Sequence, residues 1–68
     1  MNQNTTYIAN ISKEAEFKKE LKKIGFEFFN LNYGFWRATN NKHILSFYKN
    51  GNLLIQGKEI DKIVDMLI

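Results

Sequence analysis

The sequence predicts an α+β fold, in which one antiparallel sheet carries two helices on the same face. Three observations support this fold class. Five segments alternate with period two, two segments have the 3.6-residue spacing of an amphipathic helix, and their order is β-α-β-β-β-β-α. Each helix offers a single apolar stripe, so two helices cover one face of such a sheet and leave the other open.

Length and composition limit the chain to one small folded unit. It has 68 residues, which is below the usual length of a domain. Hydrophobic residues make up 44% and aromatic residues 15% of the chain, which is too much for disorder. We therefore expect a single domain over residues 1–68, with residues 1–4 flexible and no catalytic domain present.

A strand over residues 5–11 and a surface helix open the chain. Ser12 is a suitable helix N-cap, and Gly25 can end the helix. The narrow apolar stripe of this helix contains Phe17, Leu21 and Ile24. The opposite flank is rich in lysine, a pattern typical of solubility charges that lie away from the open face. These lysines are Lys18, Lys19, Lys22 and Lys23.

Four further strands follow, separated by short turns rich in Asn and Gly. Asn50-Gly51 is the strongest hairpin signal, because both residues tolerate the positive φ of a type I′ turn. As a two-residue turn, it predicts that Phe47 lies opposite Leu54. A two-residue turn at Asn40-Asn41 would likewise place Arg37 opposite Ile44 in the preceding hairpin. The chain closes on a second amphipathic helix, whose apolar residues are Ile60, Ile63, Val64 and Leu67.

These registers divide three strands between the two faces of the sheet. The face expected under the helices carries Trp36, Ala38, Leu45, Phe47, Leu54 and Gln56. The open face is expected to carry Phe35, Arg37, Thr39, Lys42, Ile44, Ser46, Tyr48, Leu53 and Ile55. An exposed apolar patch of this size implies a partner. The plainer alternative is that these residues serve strand propensity and cross-strand packing.

The segment YKNGNLLIQGK resembles part of the N-terminal, substrate-binding domain of bacterial ribonuclease HIII. The residues that match its hairpin and the start of its last helix are Tyr48, Lys49, Gly51, Gln56, Gly57 and Lys58. More loosely, the resemblance spans nearly all 68 residues. It implies the curved sheet of one half of TATA-box-binding protein and binding of RNA/DNA hybrids. Asn50 and Asn52 depart from the family pattern, which removes a phosphate-attracting charge from the hairpin tip.

We predict a non-catalytic module that binds nucleic acid, as an RNA/DNA hybrid or a duplex backbone, through the open face. Such a face needs apolar surface for sugars and bases and cations for phosphates. The candidate contacts are Phe35, Arg37, Lys42, Ile44, Ser46, Tyr48, Lys49, Leu53 and Ile55. A net charge of +3 mildly favours an anionic partner. The alternative is a stand-alone protein-interaction module, such as a homodimer, inhibitor or antitoxin of a phage or mobile element, that uses the same face.

An enzyme is the least favoured reading. The carboxylates of the chain lie mostly at the spacing of helix surfaces. His43 is the single histidine, and the chain has no cysteine. We therefore expect no catalytic residue, no metal and no cofactor. The N-terminus has neither the basic nor the apolar region of a signal peptide, so we expect a cytoplasmic protein without a membrane partner.

Overall fold

The computed structural model describes residues 3–67. Its elements are β1 (Gln3–Ile8), a short 3-10 helix (Ile11–Lys13), α1 (Glu14–Lys23), β2 (Glu27–Phe29), β3 (Gly34–Thr39), β4 (His43–Tyr48), β5 (Asn52–Gly57) and α2 (Asp61–Leu67). The predicted α+β class and element order are confirmed. β1 begins at Gln3, two residues before the predicted start. Met1 and Asn2, which we expected to be flexible, lie outside the described residues.

The five strands form one antiparallel sheet in the order β1-β5-β4-β3-β2. The first strand therefore pairs with the last, and β1 and β2 lie at the two edges. Both helices contribute to a single hydrophobic core on one face of the sheet. The buried residues of this core are Phe17, Leu21, Phe26, Trp36, Ala38, Leu45, Phe47, Leu53, Ile55, Ile60, Ile63 and Leu67.

The start of α1 differs from the prediction in its cap. Asn10, not Ser12, caps the 3-10 helix that leads into α1. The Asn10 side-chain oxygen accepts hydrogen bonds from the backbone N–H of Ser12, at 2.9 Å, and from its hydroxyl, at 2.8 Å. Of the predicted apolar stripe, Phe17 and Leu21 are buried, whereas Ile24 is 48% exposed just beyond the end of the helix.

The β4–β5 hairpin corrects the predicted faces of β5. Phe47 lies opposite Leu53 instead of Leu54, because the connection has three residues, 49–51, and not two. Gly51 adopts a φ of +98° and donates its N–H to the carbonyl of Tyr48 at 3.0 Å, as in a type I turn followed by a left-handed residue. A shift of one residue moves every side chain of a strand to the other face.

Leu53 and Ile55 are consequently wrong as open-face residues. Both are 0% exposed and lie beneath the helices. Leu54 and Gln56, which the sequence had suggested for the core, lie on the open face and are half-buried.

The β3–β4 hairpin also differs from the prediction, but without changing any face. Its turn is at residues 41–42, since the N–H of Asn40 bonds to the carbonyl of His43 at 3.3 Å. The Asn40 side chain accepts from the backbone N–H of Lys42 at 3.0 Å and from that of His43 at 2.8 Å. Arg37 therefore lies opposite Ser46, two residues from Ile44, the partner that a turn at Asn40-Asn41 predicts. An even shift leaves the alternation of side chains intact.

A β-bulge at the start of β3 corrects the position of Phe35. Gly34 lies opposite Tyr48 and Trp36 opposite Phe47, so Phe35 is the additional residue. The centroid of the Phe35 ring is 5.1 Å from that of the buried Phe47 ring. Phe35 therefore packs on the covered side of the sheet, and its predicted place on the open face is wrong.

Candidate nucleic-acid interface

The open face consists of three rows of side chains that run across the strands. From β1 to β2, the first row is Asn4, Gln56, Ile44, Thr39 and Glu27. The middle row is Thr6, Leu54, Ser46, Arg37 and Phe29. The third row contains Ile8, Asn52 and Tyr48. Each row follows from the strand register, because side chains of opposed residues lie side by side on one face.

The middle row combines an aromatic ring, a guanidinium group and an apolar side chain. Phe29 lies opposite Arg37 in β3, and Arg37 lies opposite Ser46 in β4. Phe29 is 51% exposed, whereas Ser46 is 5% exposed. A shallow depression on this face is lined by Phe29, Asn30, Arg37 and Thr39. A ligand on this row would meet a ring and a cation next to each other, the pair that stacked bases and phosphates require.

Two further cations lie at the rim of the open face. Lys42 is exposed in the β3–β4 turn, and Lys49 is exposed in the β4–β5 connection. The six residues of β4 separate them, which places their backbones about 23 Å apart at 3.3 Å per residue. They therefore cannot bind the same phosphate. Glu27, exposed in the first row, makes that end of the face less favourable for an anion.

The predicted site residues fall into three groups. Arg37, Ile44, Ser46 and Tyr48 lie on the open face. Lys42 and Lys49 lie at its rim. Phe35, Leu53 and Ile55 lie on the covered side. Binding by the first two groups stays a prediction, although Ser46 is only 5% exposed. Burial removes Leu53 and Ile55 as direct contacts, whereas Phe35 is half-buried on the covered side.

Among the open-face residues that the sequence prediction missed are Thr6, Ile8, Phe29 and Leu54. Leu54 was lost through the error in loop length. The other three lie in the edge strands, whose faces depend on pairing with β5 and β3. Alternation within residues 27–29 places Phe28 and Phe29 on opposite faces of the sheet, but it does not show which of the two faces the helices cover.

Two side-chain nitrogens near the core, one in Trp36 and one in His43, have structural partners. Trp36 is 3% exposed, and its indole N–H donates to a carboxylate oxygen of Glu14 at 2.9 Å. His43 donates from Nε2 to the carbonyl of Lys58 at 2.7 Å. Among residues 3–67, no group of three or more His, Cys, Asp or Glu residues is arranged to hold a metal ion. Within the same residues, no helix has the length and apolar character needed to cross a membrane.

Comparison with known proteins gives a structural relative. The crystal structure of RNase H3 from Aquifex aeolicus matches 93% of this chain with a TM-score of 0.79 and 28% sequence identity. The chain resembles the N-terminal domain of RNase H3. The match covers 25% of the RNase H3 chain, so this chain spans about a quarter of that protein. No family model and no curated protein matches this RNase H3-like chain.

Proposed function

We propose that this RNase H3-like chain is a non-catalytic module that binds nucleic acid across its open face. The middle row is the observation that carries the proposal, because Phe29 and Arg37 present an aromatic ring and a cation on an uncovered sheet. The structural likeness to RNase H3 supports nucleic acid as the class of partner.

The contacts that we propose combine apolar surface and cations. Phe29 and Leu54 contact sugars or bases, and Arg37 binds a phosphate next to them. Lys42 and Lys49, at opposite ends of β4, bind phosphates of different backbone segments. In the middle row Ser46 is 5% exposed and Arg37 is assigned to a phosphate, which leaves Thr6 to hydrogen-bond to base edges, so we expect little reading of sequence. This arrangement suits a duplex backbone, including that of an RNA/DNA hybrid.

Fluorescence titration with an RNA/DNA hybrid, a DNA duplex and a single strand tests this proposal. We expect Arg37→Gln with Lys42→Gln to weaken binding and to lower the slope of log affinity against log salt by about 1.8 on a duplex. The matched control is Lys13→Gln with Lys62→Gln, which removes the same charge from exposed positions in helices. The control should keep the wild-type slope. Absence of salt-sensitive binding to all three nucleic acids would overturn the proposal.

A second candidate function is protein binding through the same face. The observation that favours it is the uncharged part of the open face at β1 and β5. Ile8 in β1 is 83% exposed there, and Leu54 lies in the neighbouring strand β5. Such a surface suits a second copy of the chain or another protein, as in an inhibitor or antitoxin. Light scattering should then show an assembly that Ile8→Lys disrupts and Arg37→Gln does not, because removal of a charge affects an apolar interface little. A wild-type monomer would argue against self-association.

A further inference from the structure

Two lysines of α1 lie close to one edge of the sheet. The ammonium nitrogen of Lys18 is 5.5 Å from the centre of the Phe28 ring, and that of Lys22 is 5.9 Å from it. Phe28 belongs to β2, which forms the edge of the sheet. The sequence had suggested solubility charges remote from the open face for all the lysines of α1. Lys18 and Lys22 do lie on the helix side, but as a pair of cations beside the strand that carries Phe29.

The surface is concave on both sides of this edge. The depression on the open face is lined by Phe29, Asn30, Arg37 and Thr39. A second depression, on the helix side, is lined by Lys18, Phe28, Phe29, Asn30, Phe35 and Trp36. Phe29 and Asn30 take part in both, so the two depressions meet at the end of β2. Cations and aromatic rings therefore continue from the open face around the edge.

The shape of this edge selects the form of nucleic acid that can follow it. A duplex has a persistence length of about 150 base pairs and cannot turn around the edge of a single sheet. A single strand is flexible enough, and its bases can stack on exposed rings while cations hold its backbone.

We propose that the β2 edge is a binding site for single-stranded nucleic acid that continues from a duplex held on the open face. Phe29 stacks with a base where the strand crosses the edge, and Lys18 and Lys22 bind the next phosphates on the helix side. This proposal rests on the proposed function, to which it adds a preference for duplexes with a single-stranded tail.

The experiment compares a blunt RNA/DNA hybrid with the same hybrid carrying a thymidine tail of about 6 nucleotides. The wild-type chain should bind the tailed hybrid more tightly than the blunt hybrid. Lys18→Gln with Lys22→Gln should abolish this advantage and lower the salt slope on the tailed hybrid by about 1.4. The matched control is Lys19→Gln with Lys23→Gln, which removes the same charge from the same helix. Lys19 is exposed, and Lys23 lies 3.6 Å from Glu20, so this control should keep the advantage.

The possible outcomes separate the two proposals. Equal binding of blunt and tailed hybrids by the wild-type chain would overturn the edge site alone. Equal losses in the two double variants would also overturn it, because the effect would then follow net charge and not position. Failure of the wild-type chain to bind either hybrid would overturn the edge site, and the proposed function would fall with it only if the DNA duplex and the single strand also failed to bind. Circular dichroism should match the wild type in both variants. Thermal unfolding of the Lys18→Gln, Lys22→Gln variant should be modestly lower, because its contacts with the Phe28 ring are lost.

Discussion

The covered and open faces belong to the same five strands, yet they differ in how much of each side chain is buried. On the covered face Phe47 and Leu53 are 0% exposed, whereas on the open face Phe29 is 51% and Ile8 83% exposed. The core on the covered face provides the stabilisation by apolar burial, while the open face keeps the groups suited to a ligand. Because neighbours along a strand alternate between faces, stability and binding should separate from one residue to the next.

The adjacent leucines Leu53 and Leu54 provide the strongest test of this difference. We expect Leu53→Ala to destabilise the fold by about 2–5 kcal/mol, because it removes a fully buried side chain from the core. A chain of this size has about 3–5 kcal/mol in total, so this variant should be largely unfolded. Leu54→Ala, on the open face, should cost about 1 kcal/mol or less. Urea unfolding followed by circular dichroism measures both.

The same pair of variants tests the strand register. The two-residue turn suggested by the sequence would bury Leu54 and expose Leu53, and it predicts the reverse order of stabilities. If Leu54→Ala were the more destabilising variant, the register in the structure would be wrong.

The two hairpins explain why the sequence predicted one part of the open face and not the other. Both predicted registers were shifted, by two residues in β3–β4 and by one in β4–β5. The even shift kept Arg37 and Ser46 on the open face, while the odd shift exchanged Leu53 for Leu54. Alternation within a strand therefore held except at the Phe35 bulge, and the relation between strands depended on the exact length of each connection.

The length of the β4–β5 connection depends on a partner that is remote in sequence. The carbonyl of Gly51 accepts a hydrogen bond from the N–H of Ala9, just after β1, at 2.8 Å. Asn50 adds a local contribution, since its side chain accepts from the N–H of Asn52 at 3.0 Å. The pattern Asn-Gly correctly indicated a hairpin. It favours a two-residue turn, but these contacts stabilise a connection of three residues.

The edges of the sheet were the least predictable part of the candidate site. The sequence gives no direct signal for the pairing of β1 with β5, because many residues separate the two strands. Thr6, Ile8 and Phe29 therefore had no assigned face. The lysines of α1 were recognised as a charged flank, but their distance from β2 depends on how the helix lies on the sheet. Local patterns thus determined the elements and most of the core, and non-local packing determined the extent of the site.

A hydrogen bond on the covered face should contribute less to the free energy of unfolding than the Leu53 side chain does. The buried indole of Trp36 donates to Glu14 in the first turn of α1. Glu16 lies in the same turn and is exposed, so both carboxylates interact similarly with the helix dipole. Glu14→Ala should therefore cost about 1–3 kcal/mol more than Glu16→Ala, because it leaves a buried N–H without its acceptor.

Unfolding in urea, followed by the fluorescence of the single tryptophan, measures this difference directly. Glu14→Gln is the informative companion variant, since it keeps an acceptor oxygen and should recover part of the loss. Equal stabilities of Glu14→Ala and Glu16→Ala would mean that the hydrogen bond between α1 and β3 does not stabilise the covered face. The free energy of the core would then come from apolar burial alone, and the difference between the two faces would be one of hydrophobic area without a polar component.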